Sequence, residues 1–320
     1  MSDIAALRAE TTLRAGDAPD ASQSMTQPGA IARPKPPSYV LTVSCPDTTG
    51  IVAAISGFLA SRNCLITEAQ HYDDPFTVRS FMRTVFHDNG RGMPALVELD
   101  RAYGEDIAPS FQMAWRFHEV RHKCRAVLAV SRHGHCLNSM LHRWSTDTLP
   151  IEVVAVASNH QDMRSLTEWH GIPFHYFPVF DGRKAEQERR IIDLFEKVDA
   201  ELLVLARYMQ VLTADACAYF AGRAINIHHS FLPGFKGAKA YHQAHERGVK
   251  LIGATAHYVT TDLDEGPIIE QETARVDHTM SPEELVSIGS DLESVVLNRA
   301  VKWHAERRVV TNGSKTVVLR

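Results

Sequence analysis

No apolar run in this 320-residue chain approaches the roughly 18 residues a membrane-spanning helix needs, so a membrane role is not expected. Cysteine is sparse. The five cysteines at positions 45, 64, 124, 136 and 217 contain no Cys-x-x-Cys pair, which argues against a disulfide framework or a zinc ribbon. Reduced thiols in a cytoplasmic protein are the expectation. An excess of positive charge is also missing. Lys plus Arg number 34 against 38 Asp plus Glu, a net charge of −4, whereas nucleic-acid binding demands a basic face. No internal repeat is visible. What remains is 44% hydrophobic and 22% charged, the composition of a soluble globular protein long enough for two domains and a substantial core.

The first 36 residues mix Ala, Pro, Ser, Asp and Arg without the continuous apolar stretch of a signal peptide, and read as a disordered leader or a start-site extension. Residues 39–44 alternate like a strand, 46–50 form a turn, and Ile51, Ile55, Phe58 and Leu59 have helical spacing. Strand-like stretches follow at 65–72 and 80–86. From residue 125 onward, short apolar strands alternate with helical stretches at 184–197, 213–220 and 282–303, which predicts a mostly parallel, Rossmann-like sheet. Ligands of such sheets bind beyond the carboxyl ends of the strands. Residues 308–319 predict a terminal hairpin with an Asn312-Gly313 turn. The organisation expected is a leader (1–37), a small α+β module (38–118), a junction and a larger α/β domain (124–320).

Chemistry concentrates in two segments. Asn226 and His228 lie two apart after an apolar lead-in, so on an extended strand end both side chains point to one side. Asp264 follows, just ahead of Gly266-Pro267. Asp264-Glu-Gly-Pro alone is also ordinary turn chemistry, and a lone strand-end His is often only hydrogen-bonded. Together they supply a carboxamide donor, an imidazole that titrates near neutrality and a carboxylate. That set suits acyl chemistry at a carbonyl: an oxyanion donor, a proton-transfer group and a group to orient water. Histidine is abundant, at 17 residues. His242 and His245 share a helical face and His228 and His229 diverge on a strand, but neither pair has an evident third ligand, so no metal is expected.

Asn226, His228 and Asp264, with the 231–237 loop and the His257 strand between them, resemble the catalytic trio of the folate-dependent formyltransferase superfamily. The resemblance to the superfamily runs from about residue 125 to the C-terminus. Three features turn it toward the formyltetrahydrofolate deformylases, over about residues 39–320. The loop after the first strand, 132–138, holds only Gly134, too few glycines for the nest that cradles an acceptor phosphate in glycinamide ribonucleotide transformylases. Residues 47–52 resemble the strand-to-helix turn of an ACT module, a βαββαβ unit that among these relatives precedes the deformylase. Residues 131–144 and 205–212 are deformylase-like locally.

The resemblance implies an α/β chain with an ACT-like module ahead of a formyltransferase domain. It implies hydrolysis of 10-formyltetrahydrofolate to tetrahydrofolate and formate, within one-carbon and purine metabolism. Asn226 and His228 would stabilise the oxyanion and Asp264 would orient water. Arg207, Met209, Gln210, Val211 and Leu212 would grip the pterin, with His257 and Gly266 in support. No cofactor or metal is implied beyond the folate substrate. A homo-oligomer, specifically a tetramer, and an amino-acid effector at the ACT-like module are further expectations. The alternatives are formyl transfer to a small amine such as glycinamide ribonucleotide, and a catalytically inert folate-binding regulator.

Overall fold

The computed structural model describes residues 36–234 and 239–320. The expected leader therefore falls almost wholly outside the described residues, as do positions 235–237 of the 231–237 loop. The chain opens with β1 (Ser38–Pro46), α1 (Ile51–Ser61), β2 (Cys64–Asp74), β3 (Arg79–Asp88), α2 (Leu96–Asp106), a short α3 (Ala108–Phe111) and β4 (Ala114–Glu119). These strands form an antiparallel sheet in the order β2-β3-β1-β4. This is the expected ACT-like βαββαβ order. Alternation drives it: Leu41, Val43 and Cys45 of β1 turn inward against Ile51, Ile55, Phe58 and Leu59, one face of α1. Gly50 starts that helix at φ 98°, a conformation that favours a residue without a β-carbon.

The second part comprises β5 (Cys124–Val130), α4 (His135–Ser145), β6 (Ile151–Ser158), α5 (Arg164–Trp169), β7 (Phe174–Tyr176), α6 (Lys184–Lys197), β8 (Leu202–Leu205), α7 (Ala214–Tyr219), β9 (Ala224–His228), α8 (Ala240–Glu246), β10 (Leu251–Tyr258), β11 (Ile268–Arg275), α9 (Pro282–Ala305) and the hairpin β12 (Val309–Asn312) and β13 (Lys315–Val318). The seven-stranded sheet runs β11-β10-β9-β8-β5-β6-β7. β5 through β9 are parallel, and β10 and β11 are antiparallel additions. Strands β5, β8 and β9 are almost entirely buried, and β8 and most of β5 read as continuous apolar runs because helices cover both faces. The chain leaves β5 for one side of the sheet and returns to the other at β8. The crevice opens beside that switch, beyond the carboxyl ends of β8 and β9. Ser131 ties the end of β5 to the segments after β6 and β8: its hydroxyl accepts the Met209 N–H at 3.0 Å and donates to Asn159 Oδ1 at 2.7 Å.

The terminal hairpin forms, but its two-residue loop is Gly313-Ser314, because Asn312 pairs with Lys315. The cause is tertiary. The Asn312 amide donates to Asp74 Oδ2 at 2.6 Å and Thr77 Oγ1 at 3.1 Å in the N-terminal sheet, which holds it in the strand. Arg308 reinforces this clasp through Glu68 at 3.0 Å and Gln70 at 3.2 Å, and Arg83 donates to the Glu306 carbonyl at 3.0 Å. The hairpin and the residues just after α9 thus fasten onto the N-terminal sheet.

Candidate active site

β9 ends at His228, and Asn226 and His228 both line a cavity of about 250 Å³ at the crevice. β10 runs antiparallel beside β9, and its register sets His257 opposite Asn226. An irregularity in the β10–β11 pairing falls between Ala256 and His257, the kind of local kink that re-aims side chains beside functional sites. His257 Nδ1 faces the Tyr258 carbonyl at 2.9 Å, so that nitrogen carries the proton and Nε2 keeps its lone pair. Asn226 Nδ2 lies 3.2 Å from Nε2 and donates to it. The chain fixes the carboxamide with its N–H₂ inward, one N–H spent on His257 and one left over. Burial lowers the His257 pKa against the opposing pull of the Tyr258 carbonyl and Asp264, which keeps the ring neutral for this bond.

Asp264 arrives from the loop after β10. It adopts φ 58° and is 9% exposed. Its Oδ1 sits 3.2 Å from His228 Nδ1 and 3.9 Å from His257 Nε2. Gly266 explains how the loop turns there. A β-carbon on it would lie 1.7 Å from the Tyr258 carbonyl oxygen and 3.1 Å from His257 Nδ1, so only glycine lets the backbone approach β10 so closely. Gly266 does not line the cavity; it seats the loop that carries Asp264.

Arg207, Met209, Gln210, Val211 and Leu212 line the same cavity. Much of this loop's backbone is already engaged. Ser131 N–H donates to the Arg207 carbonyl, Gln210 N–H to the Tyr208 carbonyl, and Lys184 Nζ to the Val211 carbonyl. The N–H groups of Val211 and Leu212 have no acceptor among the described residues. The Met209 and Val211 side chains stay exposed and give the mouth an apolar rim.

The cavity also has residues the spacing argument passed over: Tyr208, His229 and the 259–263 loop. His229 does not diverge from His228, because β9 stops at His228 and the backbone turns there; the two rings lie 5.1 Å apart. Burial, then the charges of Arg207 and His228, push its pKa down to about 4. The signal for these residues was their position directly after each strand end, where residue type carries no label. Among the described residues, His135, Cys136 and Glu293 have ligand atoms within 4.8 Å of one another. They fit a metal poorly: burial pushes the Cys136 thiol up, and the Arg207 guanidinium, 3.3 Å from Glu293, already supplies the positive charge.

A formyl transferase family model matches residues 124–301, the part that builds the seven-stranded sheet and its crevice. This defines the class: a formyl transferase fold. The chain is 49% identical to the formyltetrahydrofolate deformylase of Corynebacterium sp. (strain P-1) over 88% of its length and 98% of that protein. It is 46% identical to the formyltetrahydrofolate deformylase of Bacillus subtilis (strain 168), over 87% of this chain and 92% of that one. Crystal structures agree. A formyltetrahydrofolate deformylase from Burkholderia mallei superposes with a TM-score of 0.84 at 50% identity, over 89% of this chain and all of that one. Glycinamide ribonucleotide transformylase 1 from Symbiobacterium toebii superposes with a TM-score of 0.60 at 28% identity, over 62% of this chain and 95% of that one. The chain belongs to the formyltetrahydrofolate deformylase family.

Proposed function

We propose that this protein hydrolyses 10-formyltetrahydrofolate to tetrahydrofolate and formate. The observation that carries the reading is the convergence of Asn226, His228 and Asp264 on one cavity, with His257 fixing the carboxamide inward. Water adds to the formyl carbon, and the carbonyl oxygen becomes an oxyanion facing Asn226 Nδ2 and His228. One such donor is typically worth about 2.7–4 kcal/mol in the transition state. Asp264 holds the attacking water and takes its proton. The C–N10 bond then breaks, and His228, paired to Asp264, delivers a proton to the departing nitrogen. The pterin lies against Met209 and Val211 and bonds to the Val211 and Leu212 N–H groups. No step calls for a cofactor or a metal.

The acceptor side supports water over an amine. Gly134 starts α4 packed so tightly that a β-carbon there would lie 2.3 Å from Met163 Sδ, and His135 is bonded to Glu293 at 2.8 Å. Arg132, which a transferase reading would use, is exposed, bonds to His160 at 3.5 Å and does not line the cavity. The same reading extends to domains at 38–118 and 124–320, a cytoplasmic setting, an amino-acid effector at the ACT-like module and a tetramer. Among the described residues no helix is long and apolar enough to cross a membrane. The edge position of β4 in the N-terminal sheet, unpaired on its outer side among the described residues, supports pairing between copies.

The test is formate release from 10-formyltetrahydrofolate without any amine. Wild type should release it, and Asp264→Asn should lower kcat by about 10²–10⁴-fold. Release that waits for glycinamide ribonucleotide would make the protein a transferase and overturn the proposal.

A further inference from the structure

The same cavity that holds Asp264 is also lined by a cation, Arg207. Arg207 follows β8 at φ 64°, a left-handed conformation that a non-glycine residue holds only where its surroundings enforce it. Its side chain is only 11% exposed, and Nε lies 3.3 Å from Glu293 Oε2 in the middle of α9. That carboxylate is already well supplied with donors: His135 Nε2 sits 2.8 Å from Oε2, and the Tyr241 hydroxyl donates to Oε1 at 3.0 Å. Burial would raise the Glu293 carboxyl, but the His135 bond and the charges of Arg207, His135 and His229 hold it below the usual range, so it stays an anion. Arg207 Nε and Nη1, by contrast, have no hydrogen-bond partner of good geometry among the described residues. A buried donor without an acceptor is costly, and in native structures it usually awaits something.

The arrangement is a guanidinium ion-paired to Glu293 through Nε, with two enclosed nitrogens short of hydrogen bonds, on a residue that lines the cavity together with Asn226, His228 and His229. Guanidinium N–H groups bind planar carboxylates better than any other side chain does. The proposed hydrolysis creates one small carboxylate inside this cavity. The water oxygen becomes the second oxygen of formic acid as the C–N10 bond breaks. One proton goes to N10, and the other leaves as the acid ionises, so formate departs as an anion from a site that already holds the Asp264 carboxylate. Resting on the hydrolase reading, we propose that Arg207 is the formate subsite: its guanidinium at the cavity wall receives the carboxylate as it forms and offsets the repulsion from Asp264. The glutamyl carboxylates of the folate are the other carboxylate source, but they belong at the open mouth, whereas Arg207 is enclosed.

The experiment reads formate binding directly, by ¹³C-formate line broadening on the full chain without folate, and product inhibition by formate during turnover. Arg207→Met should weaken both by roughly 10- to 100-fold, the range for a charged hydrogen bond, and Arg207→Lys should restore part of the loss. Glu293→Gln should tighten formate binding, because it removes the opposing charge; a merely structural role for the pair predicts no tightening. Arg207→Met binding formate within twofold of wild type would overturn the proposal. So would a tenfold rise in KM for the folate with formate inhibition unchanged, which would assign Arg207 to the substrate's own carboxylates. If Arg207→Met fails to fold, Glu293→Gln decides alone, and unchanged or weaker formate binding sinks the idea. Because line broadening needs no turnover, an enzyme that bound formate yet released none would refute the hydrolase reading and leave the subsite standing.

Discussion

Replacing Gly266 with alanine puts a methyl group 1.7 Å from the Tyr258 carbonyl oxygen and 2.9 Å from its carbon. Real contacts of this kind do not close below about 3.0 Å, so the loop or β10 must yield by at least roughly 1.3 Å. Neither neighbour is free to do so cheaply. The Tyr258 carbonyl accepts from His257 Nδ1, and the Tyr258 N–H is bonded to the Pro267 carbonyl at 3.0 Å, which pins the loop to the strand on both sides of the clash. Motion of the loop carries Asp264 away from His228, and motion of Tyr258 rotates His257 and releases Asn226. A misplacement of about 1 Å at a reacting group can cost about 10²-fold in rate, and overpacking typically costs about 1–3 kcal/mol of stability. Gly266→Ala should therefore lower kcat for formate release by about 100-fold, with a melting temperature several degrees lower. A fluorescence melt and a coupled formate assay measure both. A variant within threefold of wild-type kcat and with an unchanged melt would refute the seating role given to Gly266.

Two further predictions follow from the same site. His257→Leu keeps an apolar filling but removes the acceptor for Asn226, so kcat should fall by about 10- to 100-fold while KM for the folate changes less than threefold; a pure KM effect would contradict the positioning role. The pH dependence of stability has a definite sign. His229 titrates near 6.5 when unfolded and at about 4 when folded, so between these values the unfolded chain binds a proton that the folded one refuses. Its contribution is complete above pH 6.5 and is lost as pH falls toward 4, on the order of 3 kcal/mol in full. His118 and His304, also pushed down to about 4 by burial, act in the same direction. Urea melts from pH 7.5 to 4.5 should show falling stability, and His229→Gln should flatten the slope; a slope unchanged by that substitution would refute the assignment.

Much of this was legible in the residues. Helix α1 was readable from Ile51, Ile55, Phe58 and Leu59, because one face of a 3.6-residue period must be buried. Asn226 and His228 were readable as a pair because strand geometry forces residues two apart onto one side. The hairpin was expected, yet its loop moved by one residue, because Asn312 is claimed by Asp74 and Thr77, more than 200 residues away in sequence. Local turn propensity cannot register a partner at that distance. His229 was misread for a similar reason: strand alternation holds only while the strand lasts, and β9 ends one residue earlier.

By itself the sequence determined which side chains could do acyl chemistry, which segments are strands or helices, and the order of the two sheets along the chain. These follow from periodicity and from the chemistry of each residue type, both local properties. Only the tertiary structure decided how the pieces meet. The antiparallel register of β9 and β10 sets His257 against Asn226. The close approach of Gly266 to Tyr258 brings Asp264 within 3.2 Å of His228. The arrival of α9 places Glu293 beside Arg207. Each of these depends on pairings between distant segments, and their energy comes from burial and hydrogen bonds that exist only once the whole sheet has closed.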